Sequence, residues 1–259
     1  MNILITGTNT GIGHALAIEF LDHGATVYGI SRHFNDKLKN YDDYHHLSQD
    51  LMKLEELQEN LTDFLSDVNT LDLVVLNAGI LININDLRKT PLDEITTVMR
   101  VNVWANKVII DTLLEKTPNL YQVVAISCGS VINNARGLNA YSLSKLALNK
   151  MIKLYAREIT KTHFSAIAPG YIDSSLQKHI AQLPNLNNYP VIKKLRIMRE
   201  KGQLTEPRYA ANYLVEAMGT ILQEESGAYR EVKDILLLEN ERFHYPRHQN
   251  KPRAKAACD

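Results

Sequence analysis

Between Asn2 and Gly24 the chain runs from a short apolar stretch through a glycine-rich loop directly into an amphipathic one. Asn2-Ile-Leu-Ile-Thr6 reads as a buried strand and Gly7-Thr-Asn-Thr-Gly11-Ile-Gly13 as a tight loop. His14–His23 then has helical spacing, with Ala15, Leu16, Ala17, Ile18 and Leu21 apolar before Gly24. A strand that feeds a helix through such a loop is the first unit of a parallel α/β sheet, so the opening residues already exclude most folds. Glycines let the loop turn sharply and let a ligand approach the backbone, while the helix start offers free N–H groups and a positive dipole end. That combination suits a pyrophosphate. The spacing here is G-x-x-x-G-x-G, not G-x-G-x-x-G. A turn without function is the plainer alternative, and the flanking strand and helix weigh against it.

The alternation continues. Ala25–Ile30 reads as a second strand, and in such sheets the residue at its carboxyl end meets the adenosine ribose. An acid there would bind a 2′-hydroxyl; this chain has Ser31-Arg32, a hydroxyl and a guanidinium, which suit a 2′-phosphate and point to NADP(H). The plainer reading leaves Arg32 as a solvated loop residue. Tyr44–Leu47 leads a third strand ending at Asp50-Leu51. Asp50 and Leu51 meet the edge and face of an adenine, or Asp50 caps a following helix over Leu51–Leu65; the two readings are compatible. A fourth strand, Leu71–Leu76, runs into Asn77-Ala78-Gly79, small residues that leave room for a cofactor against the backbone. Leu92–Leu114 reads as one helix entered at Pro91. Its Asn102 sits between Val101 and Val103, and a buried amide needs partners. It either serves helix packing or holds a water near Lys145.

Val123–Ile126 is a further buried strand, and Tyr141 and Lys145 open the next helical pattern. Residues four apart share a helix face, so the ammonium can reach the phenol or a ligand beside it. A phenol titrates near ~10, and a nearby cation favours the phenolate and lowers that value. Alone, Tyr-x-x-x-Lys is a weak signal. Phe164–Ala168 is another buried strand, and Pro169-Gly170 follows at the sheet edge where ligands bind.

The 259 residues, 45% hydrophobic, are enough for one large α/β domain, expected over 1–240. Zero formal net charge gives no pointer to nucleic acid or an anionic membrane. Cys128 and Cys258 form no disulfide framework, no apolar run has transmembrane length, and MNILITGT leaves no room for a signal peptide, so a cytoplasmic protein is expected. The segment Tyr171–Leu204 is the least regular and reads as a substrate lid, with a basic helix over Val191–Lys201 whose cations form a solvated face. Tyr171, Leu176, Ile180 and Leu183 would give it an apolar lining, suited to a hydrophobic carbonyl compound. The helix from Ala140 to about Thr160 has apolar residues on more than one side, which implies a second packing surface and a homodimer or homotetramer. Pro207–Ile221 reads as a helix, Ile235–Leu238 as the last strand, and 241–259 as a basic tail.

Taken in order, TGTNTGIG, SR, DL, LNAG, helical Asn102, Tyr141-Ser-Leu-Ser-Lys145 and Ala168-Pro-Gly-Tyr-Ile-Asp-Ser174 resemble the short-chain dehydrogenase/reductase family over roughly residues 1–240. Ala125-Ile-Ser-Cys-Gly-Ser130 and Gly202-Gln-Leu-Thr-Glu-Pro207 look most like its benzil reductase and sepiapterin reductase-like group. The resemblance implies a single-domain Rossmann-type doubly wound parallel sheet and hydride transfer between NADP(H) and a carbonyl or alcohol, with no metal. It implies Tyr141 as general acid, and Lys145 as the group that lowers its pKa and holds the nicotinamide ribose. Asn102 would order a proton-relay water. Gly7, Gly11, Ile12 and Gly13 would take the pyrophosphate and adjacent ribose, and Asn77, Ala78 and Gly79 the adenosine side. Pro169, Gly170, Ile172 and Ser174 would face the nicotinamide.

One position departs from the pattern. The family's carbonyl-polarising serine, thirteen residues before the tyrosine, is Cys128 here. A thiol is a weak donor beside a hydroxyl. Either Cys128 serves poorly, or Ser127 or Ser130 takes over, or the chemistry is largely lost and the chain is an NADP(H)-binding sensor. Ser127 would face away from Cys128 in a regular strand, whereas Ser130 could point the same way. The favoured reading has Cys128 lining the pocket with Ser130 assisting.

Overall fold

The apolar runs become strands buried on both faces. In a computed structural model describing residues 1–133, 135–183 and 188–236, the strands are β1 (Asn2–Thr6), β2 (Thr26–Ser31), β3 (Tyr44–Ser48), β4 (Thr70–Leu76), β5 (Asn119–Ile126), β6 (His163–Ala168) and β7 (Ala228–Glu231). They form one sheet in the order β3-β2-β1-β4-β5-β6-β7, every pair parallel. This is the doubly wound Rossmann-type sheet expected from the sequence. Alternate residues serve opposite layers. Ile3, Ile5, Val75 and Val124 pack on α1 (Gly11–Asp22) and α9 (Pro207–Thr220). Leu4, Val74, Leu76 and Val123 pack on α2 (Leu54–Phe64), α4 (Ala105–Lys116) and α6 (Asn139–Glu158). Each such fully buried aliphatic side chain contributes about 1.5–3 kcal/mol over leaving it in water. Strand order reverses between β1 and β4, and a crevice opens there beyond the carboxyl ends.

Several elements differ from the sequence reading. The helix expected over Leu92–Leu114 is three pieces: α3 (Leu92–Met99), a π turn (Arg100–Trp104) and α4. A π turn shifts the ladder by one residue, and this one carries Asn102 in its middle. Helix α2 begins at Leu54 rather than Leu51, and Asp50 Oδ1 accepts from the Met52 N–H at 3.0 Å, so Asp50 closes the turn before the helix rather than capping it. The lid holds two helices, α7 (Ser175–Gln182) and α8 (Pro190–Glu200), and is more regular than its prolines and asparagines suggested. The last strand lies upstream of the expected Ile235–Leu238: Gly227, at φ 95°, turns the chain into β7, and residues 232–236 are helical with Ile235 buried in the α1/α9 layer. A short apolar run does not distinguish a strand from a buried helical turn. Leu237, Leu238, the tail over 241–259 and the Pro184–Asn187 tip lie outside the described residues.

Candidate active site in the crevice

The crevice is a cavity of about 750 Å³, lined from the glycine loop at one end to the lid at the other. At the nucleotide end Gly7 has φ 80° and Gly11 φ 62°, a region that favours glycine. A Cβ on Gly13 would overlap the Gly7 carbonyl oxygen and lie 2.5 Å from Asn77 Nδ2. Gly13 therefore fits the helix against the strand and does not line the cavity, unlike Gly7, Gly11 and Ile12. The two loops on either side of the switch point are tied together through Thr6. Its hydroxyl accepts from Asn77 N at 3.0 Å and Ala78 N at 2.9 Å, and its carbonyl accepts from Asn77 Nδ2 at 2.9 Å.

Ser31, Arg32, Asp50 and Leu51 line the same end. No carboxylate stands at the carboxyl end of β2. Ser31 is buried, and its hydroxyl donates to the His33 carbonyl at 2.9 Å and contacts His46 Nε2 at 3.0 Å. It is thus already engaged with protein, while Arg32 is exposed. Asn9, Thr10 and His33 also line this end; Asn9 and Thr10 fall within the glycine loop, whose spacing singles out only its glycines, and no spacing marks His33.

Asn102 is fully buried behind Gly79 and does not line the cavity. Its Oδ1 accepts from Ile80 N at 2.8 Å, and its Nδ2 donates to Ile80 O and to Ser144 Oγ, both at 2.9 Å. The side chain thereby pins the loop after β4 to α6. Ser144 Oγ in turn donates to the Tyr141 carbonyl at 2.8 Å, which fixes the first turn of α6.

Tyr141 and Lys145 line the centre of the cavity. Lys145 Nζ lies 5.8 Å from the Tyr141 ring centroid and donates to the Ile126 carbonyl at 2.7 Å. Burial brings the lysine down to about 8, the Cys128 side chain acting in the opposite direction. Burial also holds the Tyr141 phenol well above its usual range, with Cys128 adding to the rise. Burial and the nearby Cys128 both raise the phenol, so the lowering expected from Lys145 is not seen and the protonated form is favoured. Among the described residues no protein group hydrogen-bonds the Tyr141 hydroxyl.

Cys128 and Ser130 share one wall, with Sγ and Oγ 2.7 Å apart. Ser130 begins the short helix α5 (Ser130–Asn133), which brings it back beside the thiol. Ser127 is 2% exposed and lines the cavity too, and its hydroxyl has no partner among the described residues. Pro169, Gly170, Ile172 and Ser174 line the cavity as well. Beyond them Tyr171, Leu176 and Ile180 line the cavity as expected, and Leu183 packs behind them without lining it. Glu231 and Lys233 of the β7 end also line the cavity.

A family model, short chain dehydrogenase, matches residues 1–184. The chain belongs to the short chain dehydrogenase family. It is 25% identical over 246 residues to benzil reductase ((S)-benzoin forming) of Bacillus cereus, covering 89% of this chain and 97% of that one. The Bacillus subtilis enzyme of the same name is 26% identical, with 90% and 98% covered. In fold, this short chain dehydrogenase is similar to the YIR035C short chain dehydrogenase/reductase of Saccharomyces cerevisiae, with a TM-score of 0.82 at 22% identity, over 92% of this chain and 98% of that one. Membership makes the chain an oxidoreductase of a family that uses nicotinamide cofactors. The cavity fits such a group on its own terms: a glycine cradle under a helix start, small residues at Asn77–Gly79, and a buried lysine beside a protonated phenol.

Proposed function

We propose that this chain is an NADP(H)-dependent carbonyl reductase acting on a hydrophobic ketone or dicarbonyl, within the benzil reductase-like part of its family. The observation that carries the reading is Tyr141, a protonated phenol with no protein partner among the described residues, set in the cavity beside Lys145. Bound NADP(H) supplies the hydride. Tyr141 donates its proton to the substrate oxygen as that oxygen gains charge. Lys145 holds the nicotinamide ribose and offsets the charge left on the phenolate. Ser130, with Cys128, donates to the same oxygen, the role in which a lost donor costs about 10²-fold or more. Asn102 acts by position, holding the loop that bounds the ribose and the turn that carries Tyr141. Gly7, Gly11 and Ile12 receive the pyrophosphate; Asn77, Ala78, Gly79, Asp50 and Leu51 bound the adenosine; Pro169, Gly170, Ile172 and Ser174 bound the nicotinamide. Arg32 beside an acid-free β2 end supports the 2′-phosphate. The apolar cluster of Leu81, Leu138, Ile180 and Leu195 around Tyr141 supports a hydrophobic substrate.

A domain over 1–240 with a lid at 171–204, a homodimer or homotetramer, and a cytoplasmic location belong to the same proposal. Leu143, Leu146 and Leu154 of α6, each between 44% and 52% exposed, support self-association. No helix of the described residues is long and apolar enough to cross a membrane. The test is NADPH consumption across hydrophobic ketones, vicinal diketones and pterins, with NADH alongside. Turnover of one compound class with NADPH preferred is expected. Tight NADPH binding without turnover on any of them would favour a binding protein instead, in which Cys128 has displaced the catalytic serine.

A further inference from the structure

The loop after β2 is held through the carbonyls of Ser31, Arg32 and His33 and through the Asn35 side chain, and two of its polar side chains are left over. Ser31 O accepts from Gln49 N at 3.1 Å, Arg32 O from Ser48 Oγ at 3.1 Å, and His33 O from Ser31 Oγ at 2.9 Å. Asn35 fastens the far end, donating through Nδ2 to Asn9 O at 2.6 Å and accepting from Lys37 N at 3.0 Å. Between these anchors Arg32 and His33 are exposed and line the cavity. Among the described residues neither side chain has an ion-pair or hydrogen-bond partner. Two nitrogen-rich donors on an anchored loop, with no acid at the carboxyl end of β2 and Asp50 the carboxylate that lines the same end from just past β3, make a site for a compact anion.

Behind the loop a directed chain of hydroxyls fixes its conformation. Ser31 has a single hydroxyl hydrogen, and the His33 carbonyl takes it. Ser31 Oγ must then accept from His46 Nε2, 3.0 Å away, so that nitrogen carries a proton. On its other side Ser31 Oγ lies 3.4 Å from Thr8 Oγ1, which is 2.8 Å from the Tyr44 hydroxyl. The His46 ring is held by Phe34, edge-on at 5.3 Å, and by Tyr44, stacked at 6.2 Å. His46 does not line the cavity.

We infer that His33 is the second donor of a 2′-phosphate site headed by Arg32, and that His46 is the positioning residue that holds both, acting through the Ser31 hydroxyl. The ligand chemistry is a phosphate monoester on the adenosine ribose. This rests on the NADP(H) reading and adds to it the residues that set the preference.

The experiment measures kcat and KM for NADPH and NADH in parallel, with adenosine 2′,5′-bisphosphate and AMP as binding probes. His33→Ala should lower the NADPH-over-NADH ratio of kcat/KM about tenfold, the size expected for one charge-assisted hydrogen bond. Most of the change should fall in the KM for NADPH, and bisphosphate binding should weaken more than AMP binding. His46→Phe should shift the ratio in the same direction by about fivefold. His46→Gln, which keeps a donor, should restore it. Ser31→Ala should match His46→Phe, and the double variant should add little, since both break one chain; this pair also decides the matter if His46→Phe does not fold. Equal losses with both cofactors, or no loss, from His33→Ala would overturn the inference while leaving NADPH preferred. A parent protein that prefers NADH would instead overturn the cofactor reading itself.

Discussion

The two ends of the crevice are built on opposite principles. At the nucleotide end the polar side chains are already engaged with protein: Thr6 with Asn77 and Ala78, Ser31 with His33 and His46, Asn102 with Ile80 and Ser144. Besides Arg32 and His33, the side chains of Asn9, Thr10 and Asp50 line that end, and the rest of what it offers a ligand is backbone and shape. At the substrate end the reverse holds. Among the described residues the Tyr141 and Ser127 hydroxyls have no protein partner, and the Cys128 and Ser130 side chains are paired with one another. Binding a constant cofactor suits a surface whose hydrogen bonds are settled in advance, because little is left to order on binding. Chemistry needs groups whose protons are still available.

That contrast can be tested by removing single atoms from the substrate end. Tyr141→Phe removes the hydroxyl proposed as the proton donor and leaves the ring, so kcat should fall about 10²- to 10⁴-fold, the usual contribution of a positioned general acid. NADPH affinity by fluorescence titration should stay within a few-fold. A comparable loss of affinity would mean that the hydroxyl is part of the nucleotide end after all. Ser130→Ala should lower kcat by about 10²-fold, as expected for one oxyanion donor. Cys128→Ser should raise it or leave it within a few-fold. If Cys128→Ser gives a large gain and Ser130→Ala changes nothing, the donor is at position 128 and the thiol limits the native rate.

The same contrast explains what could be read from the sequence. The glycine loop was legible because a strand and a helix flank it, and both are short-range patterns. Tyr141 and Lys145 were legible once the motifs before them fixed the frame. Gly13 was placed with the pyrophosphate, but its job depends on the distance to Gly7 O and Asn77, a tertiary contact no spacing reveals. Asn102 was singled out for the right reason, its burial among valines, yet its partners are 22 and 42 residues away and the π turn that aims it has no local signature. His33 and His46 were invisible for a similar reason. Their role comes from the register of β2 beside β3, which sets Ser31 opposite Ser48 and brings His46 within reach of it. The rise in the tyrosine's proton affinity is not legible in the sequence, because a pairwise charge can be read from spacing, whereas burial cannot.

The smallest expected effect bears on that last point and concerns Lys145, which lies where the two ends meet. Its folded pKa of about 8 is below the ~10.4 of a free lysine. Between those values the unfolded chain binds more protons than the folded one, so this group makes stability rise with pH across that window, and its burial is unfavourable below it. An anionic dinucleotide beside Lys145 favours the ammonium and raises its pKa. NADP(H) binding near pH ~8.5 should therefore take up about half a proton or more. Calorimetric titrations in buffers of different ionisation enthalpy read this directly, and Lys145→Met should abolish it. Tyr141 should contribute nothing, being protonated throughout. Binding with no uptake would mean that the ammonium is charged before the cofactor arrives. Lys145 would then be as settled in advance as the residues of the nucleotide end, and the boundary between the two ends would lie at Tyr141.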